Sequence, residues 1–170
     1  VMMAFRIAWF KVNHPLAFYA AYFYRRSQKG GFDAALMTRG MDAVVANIKA
    51  IDGNEDATDK DEDLLTTLEV VYEFYLRGLD FLPIDLYKSD ATKFVIEDGK
   101  LRPPFVAISG LGESAALNLV EGRKGRNFLS VEEIALACPK VSKTHIQMLK
   151  EAGAFGDLPD TSQVNLFDGF

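Results

Sequence analysis

Gly110-Leu111-Gly112 runs directly into Glu113-Ser114 and the apolar pattern Ala115, Ala116, Leu119, Val120. Glycines at both ends of such a turn permit positive φ and close backbone approach, and the first N–H groups of the following helix have no intrahelical acceptor. A group of unpaired donors at a helix start suits a phosphate. A dinucleotide-binding reading fails, because no buried parallel strand leads in, position 115 is alanine where a third glycine is needed, and no β-α-β unit follows. The alternative is a glycine turn that merely starts a helix, and the motif alone leaves both readings open.

The surroundings add charge and repetition. Arg123, Lys124 and Arg126 follow the helix, and a second unit of similar length follows them. In it Ser130-Val131-Glu132-Glu133 has the pattern of a full capping box opening a helix over Ile134 to Cys138, and Pro139-Lys140-Val141 makes a short hairpin. Ser142 then opens a helix with Ile146 and Leu149 inward, stopped at Gly153. Two such units have the physical make-up of a tandem helix-hairpin-helix DNA-binding domain, which holds backbone phosphates without reading sequence. The second hairpin lacks the glycine pair, so its expected part is mainly structural, with Lys140 and Lys143 supplying charge.

The net charge of −5 argues against a wholly basic nucleic-acid binder, yet it hides an asymmetry. Residues 100–150 carry eight basic and four acidic side chains, a local +4, and the remainder carries eleven against twenty. A polyanion would meet the second half. Near the end, Gln163-Val164-Asn165-Leu166-Phe167 sets a glutamine before two apolar anchors on a turn-rich segment. Leu and Phe of such a peptide dock in a partner's pocket while Gln fixes register. The alternative is that Leu166 and Phe167 fold back on the core.

Other chemistries are excluded or disfavoured. Asp52, Asn54, Asp56 and Asp63 fall at calcium-loop positions, but the required glycine is Ala57 and the last ligand is not glutamate. His14 and His145 stand alone, which disfavours zinc, and His14 before Pro15 suits a helix junction. Asp85 and Asp90 flank Tyr87-Lys88-Ser89 and as paired carboxylates could bind metal, but turn formation by Lys88-Ser89-Asp90 fits better. The single cysteine, Cys138, forms no internal disulfide, points to a reducing compartment and is expected as a small buried apolar residue. No nucleophile elbow, Walker loop or zinc-protease motif occurs, so nothing assembles a catalytic site. Apolar runs fall short of the ~18 residues of a spanning helix, the start is no signal peptide, and no membrane role follows.

The elements that must position these residues are mainly helical, an α+β chain with little β. With 170 residues, 49% hydrophobic and 25% charged, the chain has globular composition. Met2 to Asn13 and Leu16 to Arg26 read as two helices broken at His14-Pro15, both expected in the core. A third helix runs from Asp33 to near Gly53. Thr58 and Asp61 make a capping box for a helix through Leu64, Leu68, Val71, Tyr75 and Leu76, closed by Gly78. Thr92 to Ile96 alternates as a strand, and Asp98-Gly99 turns it into Leu101-Arg102. Three parts result: 1–102, helical with a small β-hairpin; 103–155, the tandem helix-hairpin-helix domain; and 156–170, a flexible tail. Val1, directly on a helical pattern, suggests a piece of something longer.

Several stretches together resemble a known family. Ala8-Trp9-Phe10-Lys11-Val12-Asn13-His14-Pro15-Leu16-Ala17-Phe18-Tyr19-Ala20-Ala21-Tyr22-Phe23, Asp85-Leu86-Tyr87-Lys88-Ser89-Asp90-Ala91-Thr92, Pro103-Pro104-Phe105, Gly110-Leu111-Gly112, Val141-Ser142-Lys143-Thr144 and Glu151-Ala152-Gly153-Ala154-Phe155 are collinear with it. With the Gln163 to Phe167 motif, they resemble the C-terminal region of the PolC-type alpha subunit of bacterial DNA polymerase III, over almost the whole chain.

The resemblance implies a DNA-directed DNA polymerase as the parent, cytoplasmic in bacteria and carrying a 3′-5′ exonuclease. The first part would be the end of its fingers region. Gly110, Leu111, Gly112 and Ser114 would hold primer-template duplex behind the polymerase site, helped by Arg123, Lys124, Arg126, Lys140 and Lys143. Gln163, Leu166 and Phe167 would bind the β sliding clamp, and other replisome subunits are implied as partners. The magnesium-binding aspartates of the family lie upstream, so these residues would hold no cofactor and would neither polymerise nor proofread. The stretch from Asp56 to Asp63 is more acidic than expected, and Asp168-Gly169-Phe170 extends past the usual Leu-Phe end. The competing reading is a stand-alone helix-hairpin-helix adaptor.

Overall fold

The computed structural model describes residues 1–54 and 56–161. The glutamine and apolar anchors at Gln163, Leu166 and Phe167 lie outside them. Helices dominate: α1 (Met2–Asn13), α2 (Pro15–Ser27), α3 (Ala34–Met37), α4 (Met41–Asp52), α5 (Asp59–Leu76), α6 (Glu113–Gly122), α7 (Val131–Ala137) and α8 (Lys143–Glu151). One antiparallel hairpin, β1 (Val95–Glu97) and β2 (Lys100–Arg102), separates α5 from α6.

Two rules of local chemistry place the first helices. His14 (φ −133°, ψ 59°) ends α1, and Pro15 opens α2, where its missing N–H costs nothing. At α5, Thr58 accepts from the Asp61 N–H while the Asp61 carboxylate accepts from the Thr58 N–H at 2.9 Å. Donation to this carboxylate from the Thr58 hydroxyl at 2.7 Å, and then from the Thr58 N–H, holds the Asp61 carboxyl below its usual range. Between these helices lies an aromatic cluster in which the Phe23 ring sits 5.2 to 5.8 Å from Phe32, Phe74, Phe81 and Phe94. Apolar packing continues without a break from Tyr19 to Phe155.

The single helix expected from Asp33 to Gly53 is two. Asp33 caps α3 by accepting from the Ala35 N–H at 2.9 Å, Thr38 Oγ1 donates to the Ala34 carbonyl, and Gly40 at φ +99° turns the chain into α4. A left-handed residue stops a helix whatever the apolar spacing around it. Another expectation fails at α1, which is helical as predicted but buries no residue, whereas α2 buries Tyr19 and Phe23.

Asp85 and Asp90 are turn formers. Asp85 Oδ1 accepts from the N–H groups of Tyr87 and Lys88, and Asp90 Oδ1 from those of Thr92 and Lys93. Asp98 and Gly99, both at positive φ, close the hairpin with Ile96 paired to Leu101. Leu101 also pairs with Phe81 in parallel, and the Leu86 N–H donates to the Ala154 carbonyl at 2.8 Å. Through these ties the irregular segment 79–94 joins the helices before it to the units after it.

Residues 156–160, expected as the start of a flexible tail, are mostly exposed, with Leu158 against the core and hydrogen bonds to α7. The carbonyls of Pro159 and Asp160 accept from the N–H groups of Val131 and Glu132 at 2.9 and 3.1 Å, and Lys150 pairs with Asp160 at 2.5 Å. They complete the start of α7, where Ser130 accepts from the Glu133 N–H. The full capping box is only half formed there, because the Glu133 carboxylate turns to the Leu129 N–H at 2.8 Å rather than to Ser130.

Candidate nucleic-acid interface

The two hairpins share a frame. In the first, Ile108 to Gly112, the Leu111 N–H donates to the Ile108 carbonyl at 3.0 Å. In the second, Cys138 to Ser142, the Val141 N–H donates to the Cys138 carbonyl at 2.9 Å. Gly112 and Ser142 then stand as N-caps with nearly the same backbone angles, φ −68°, ψ 158° and φ −73°, ψ 167°. Leu111 and Val141 are buried and anchor the two loops from below.

Side chains make the two hairpins chemically different. Gly110 takes φ +88°, a type II turn position, while Pro139-Lys140 makes the second turn without any positive φ. In the first hairpin the N–H groups of Gly110, Gly112, Glu113 and Ser114 have no hydrogen-bond partner among the described residues. In the second, the counterparts of the first two are occupied: Lys140 N–H donates to Asn118 Oδ1 at 2.9 Å, and Ser142 N–H to His145 Nδ1 at 3.3 Å. The free donors of the first hairpin sit where the partial positive charge of α6 concentrates. That hairpin is therefore open to an anion at positions where the second is closed by its own chain.

Neither Asn118 nor the capping role of His145 was read from the sequence, where His145 was weighed only as a zinc ligand. Ser142-Lys143-Thr144-His145 carried the signal, since it has capping-box spacing with an imidazole in place of the usual carboxylate or amide. Asn118 gave none, because its acceptor meets Lys140 across 22 positions of chain.

The basic residues separate into three kinds. Arg123 is turned inward: its guanidinium donates to the Leu86 carbonyl and lies 5.7 Å from the centre of the Phe105 ring. Burial pulls its pKa down, opposed by Asp90 and Asp85. The Arg123 charge thus joins the two hairpin units to the preceding segment. Lys124 is exposed and paired with Glu121 at 2.6 Å. Arg126, Lys140 and Lys143 are exposed and make no ion pair among the described residues.

The first hairpin faces a cleft of about 910 Å³, bordered across from Gly110 and Gly112 by Lys29 and Gly30 at the end of α2 and by Lys60 and Asp61 at the start of α5. Cys138 is buried, as expected, and burial pushes its thiol pKa up. Among the described residues no three of His, Cys, Asp and Glu gather to hold a metal ion, and no helix is long and apolar enough to cross a membrane.

The helix-hairpin-helix motif family matches residues 78–164, just over half of the chain. The chain belongs to the helix-hairpin-helix family. Over nearly its whole length it is also similar to a segment of much longer proteins. It is 45% identical over 169 residues to the DNA polymerase III PolC-type of Thermotoga maritima, covering 98% of this chain and 12% of that one. It is 47% identical over 168 residues to the Bacillus cereus protein of the same name, again 98% and 12%. With the Streptococcus thermophilus protein the figures are 44% over 173 residues, 100% and 12%. This helix-hairpin-helix chain thus spans about an eighth of the length of the curated relatives it matches. The match beginning at residue 78 takes in the irregular segment and the β-hairpin along with both units.

Proposed function

We propose that this chain is the duplex-holding part of a replicative DNA polymerase of the PolC type, gripping the DNA backbone behind the active site through its first hairpin. The observation that carries the reading is the set of four unpartnered N–H groups at Gly110, Gly112, Glu113 and Ser114. Arg126 between the units and Lys140 and Lys143 on the second, exposed and without an ion pair among the described residues, supply charge that attracts phosphates whatever the DNA sequence. Lys124 adds to them, held back by Glu121. Arg123 serves this surface by fixing the units on the preceding segment.

On the same reading Gln163, Leu166 and Phe167 bind the β sliding clamp and the parent works among other replisome subunits in the bacterial cytoplasm. Polymerisation, its magnesium ions and the 3′-5′ exonuclease belong to polypeptide outside these residues, and no step of that chemistry is assigned here.

The test uses the fact that Glu113 is the first residue of α6 and follows Gly112 in extended geometry. Proline is accommodated at that position and removes one free donor without disturbing the helix. Glu113→Ala keeps the donor and removes the same charge. In a salt series against primed duplex, Glu113→Pro should bind several-fold more weakly than Glu113→Ala, with both variants melting alike. Equal binding by the two would overturn the assignment to the first hairpin.

A further inference from the structure

The two units correspond residue for residue at an offset of thirty, so that Gly110 answers to Lys140 and Gly112 to Ser142. The matching N-caps and the buried pairs Leu111 with Val141 and Leu119 with Leu149 keep this register. On it, Asn118 of α6 and Met148 of α8 occupy one and the same place. Each reaches across to the hairpin of the other unit. Asn118 Oδ1 accepts from the Lys140 N–H at 2.9 Å. Met148, half-buried and packed on the core, lies against Gly110: its methyl carbon is 2.9 Å and its sulfur 3.4 Å from the point where a Cβ on that glycine would stand.

The two side chains offer the turns opposite things. An amide oxygen is a good acceptor, and a thioether is a weak one. The turns differ in the matching way. Gly110 has the positive φ of the third residue of a type II turn and Lys140 does not, and these turn types differ by turning over the peptide between the two central residues. In the second hairpin the central N–H points to α6 and is taken by Asn118. In the first, the inverted peptide carries the Gly110 N–H to the other side of the loop, where no described residue accepts it. Glycine is equally at ease at negative φ, so Gly110 is able to make the other turn if an acceptor waits on α8.

We infer that Met148 is a positioning residue for the phosphate grip of the first hairpin. By presenting a thioether where its counterpart presents an amide, it supports the turn from below and leaves the central peptide facing outward, with the Gly110 N–H open to phosphate. The use of that donor rests on the duplex-holding function proposed above; the direction of the peptide does not. Each unit thus props the hairpin of the other, and the chemistry of the prop sets whether the loop is open at that position.

The experiment moves the acceptor in the 170-residue chain and reads amide hydrogen exchange by NMR. In Met148→Asn the Gly110 amide should exchange at least ~5-fold more slowly than in the unmodified chain. A variant that had merely lost packing would exchange faster, so the sign separates positioning from stability. Duplex binding should weaken several-fold in Met148→Asn and stay within twofold in Met148→Leu, which packs without accepting. Asn118→Met should do the reverse in the second hairpin, speeding exchange of the Lys140 amide and leaving that of Gly110 unmoved. Met148→Gln carries the same acceptor on a side chain nearer methionine in length, and it makes the measurement should the asparagine variant fail to fold. Unchanged Gly110 exchange in the acceptor variants overturns the inference, as does equal loss of duplex binding in Met148→Leu and Met148→Asn. Slowed exchange with undiminished duplex binding supports the inferred turn and overturns the duplex-holding reading instead, since the donor would be closed at no cost.

Discussion

Asn118, on the helix that follows the first hairpin, accepts the Lys140 N–H of the second hairpin at 2.9 Å. One unit thereby satisfies a donor of the other, and the second hairpin keeps its shape with no glycine at positive φ. The same bond removes from the second loop the group that corresponds to the free Gly110 N–H of the first.

Asn118→Ala should strand that donor. A hydrogen bond lost at this exposed site costs about 0.5–1 kcal/mol, which for a domain of this size lowers Tm by about 1–4 °C. Duplex binding should stay within twofold of the unmodified chain, because the first hairpin is untouched. A large fall in affinity without a fall in Tm would mean that the second hairpin holds the DNA.

Arg123→Ala and the triple variant Arg126→Ala, Lys140→Ala, Lys143→Ala should separate two kinds of cation. The single variant loses the bond to Leu86 and the contact with Phe105, costing about 2 kcal/mol in thermal denaturation, while the log-log salt slope of binding is unchanged. The triple variant should melt nearly normally but flatten a slope of about −2 to −4. A reduced slope in the single variant would put Arg123 on the DNA.

Gly40 sits at φ +99° with open space where a Cβ would stand. Gly40→Ala should therefore cost about 1–2 kcal/mol from backbone strain alone. Circular dichroism melts would show it, and an unchanged Tm would mean that α3 and α4 are not held apart at this residue.

Glu97 is held below the ordinary carboxylate pKa first by the Lys88 hydrogen bond and then by Arg102, which is itself buried. Depressed in the folded state, it stabilises the hairpin at neutral pH, and that stabilisation is lost as the pH falls from the usual glutamate range through the folded value. Glu97→Gln should be the less stable protein at pH 7, with the difference shrinking toward pH 3. A difference independent of pH would show that packing, and not charge, is what the carboxylate provides.

Leu166→Ala with Phe167→Ala should abolish capture by purified β sliding clamp without altering duplex binding or Tm. Retained capture would remove Leu166 and Phe167 from the clamp contact, and no capture of the unmodified chain would remove the clamp from the proposal.

What was legible in the sequence is what short-range chemistry decides. Thr58 and Asp61 lie three residues apart, and so do the two ends of each hairpin turn, so caps and loops could be placed from spacing. The break at Gly40 could not, because Leu36, Val44 and Ile48 keep helical spacing across it and only the left-handed glycine interrupts the path. The exposure of α1 was hidden for a different reason: apolar periodicity shows that a face wants cover, and not whether the cover is present. Asn118 and the carbonyls of Pro159 and Asp160 act across long stretches of chain, and a backbone carbonyl leaves no mark in the sequence.

The carbonyls of Pro159 and Asp160 are fixed to the first turn of α7, which holds Asp160 at a defined point. Phe167 stands seven positions after Asp160, and an extended chain covers about 3.3–3.6 Å per residue. Whatever grips Phe167 must come within a leash of about 25 Å from that helix. On the proposed function, the clamp would therefore sit beside the second unit and not at an arbitrary distance from it.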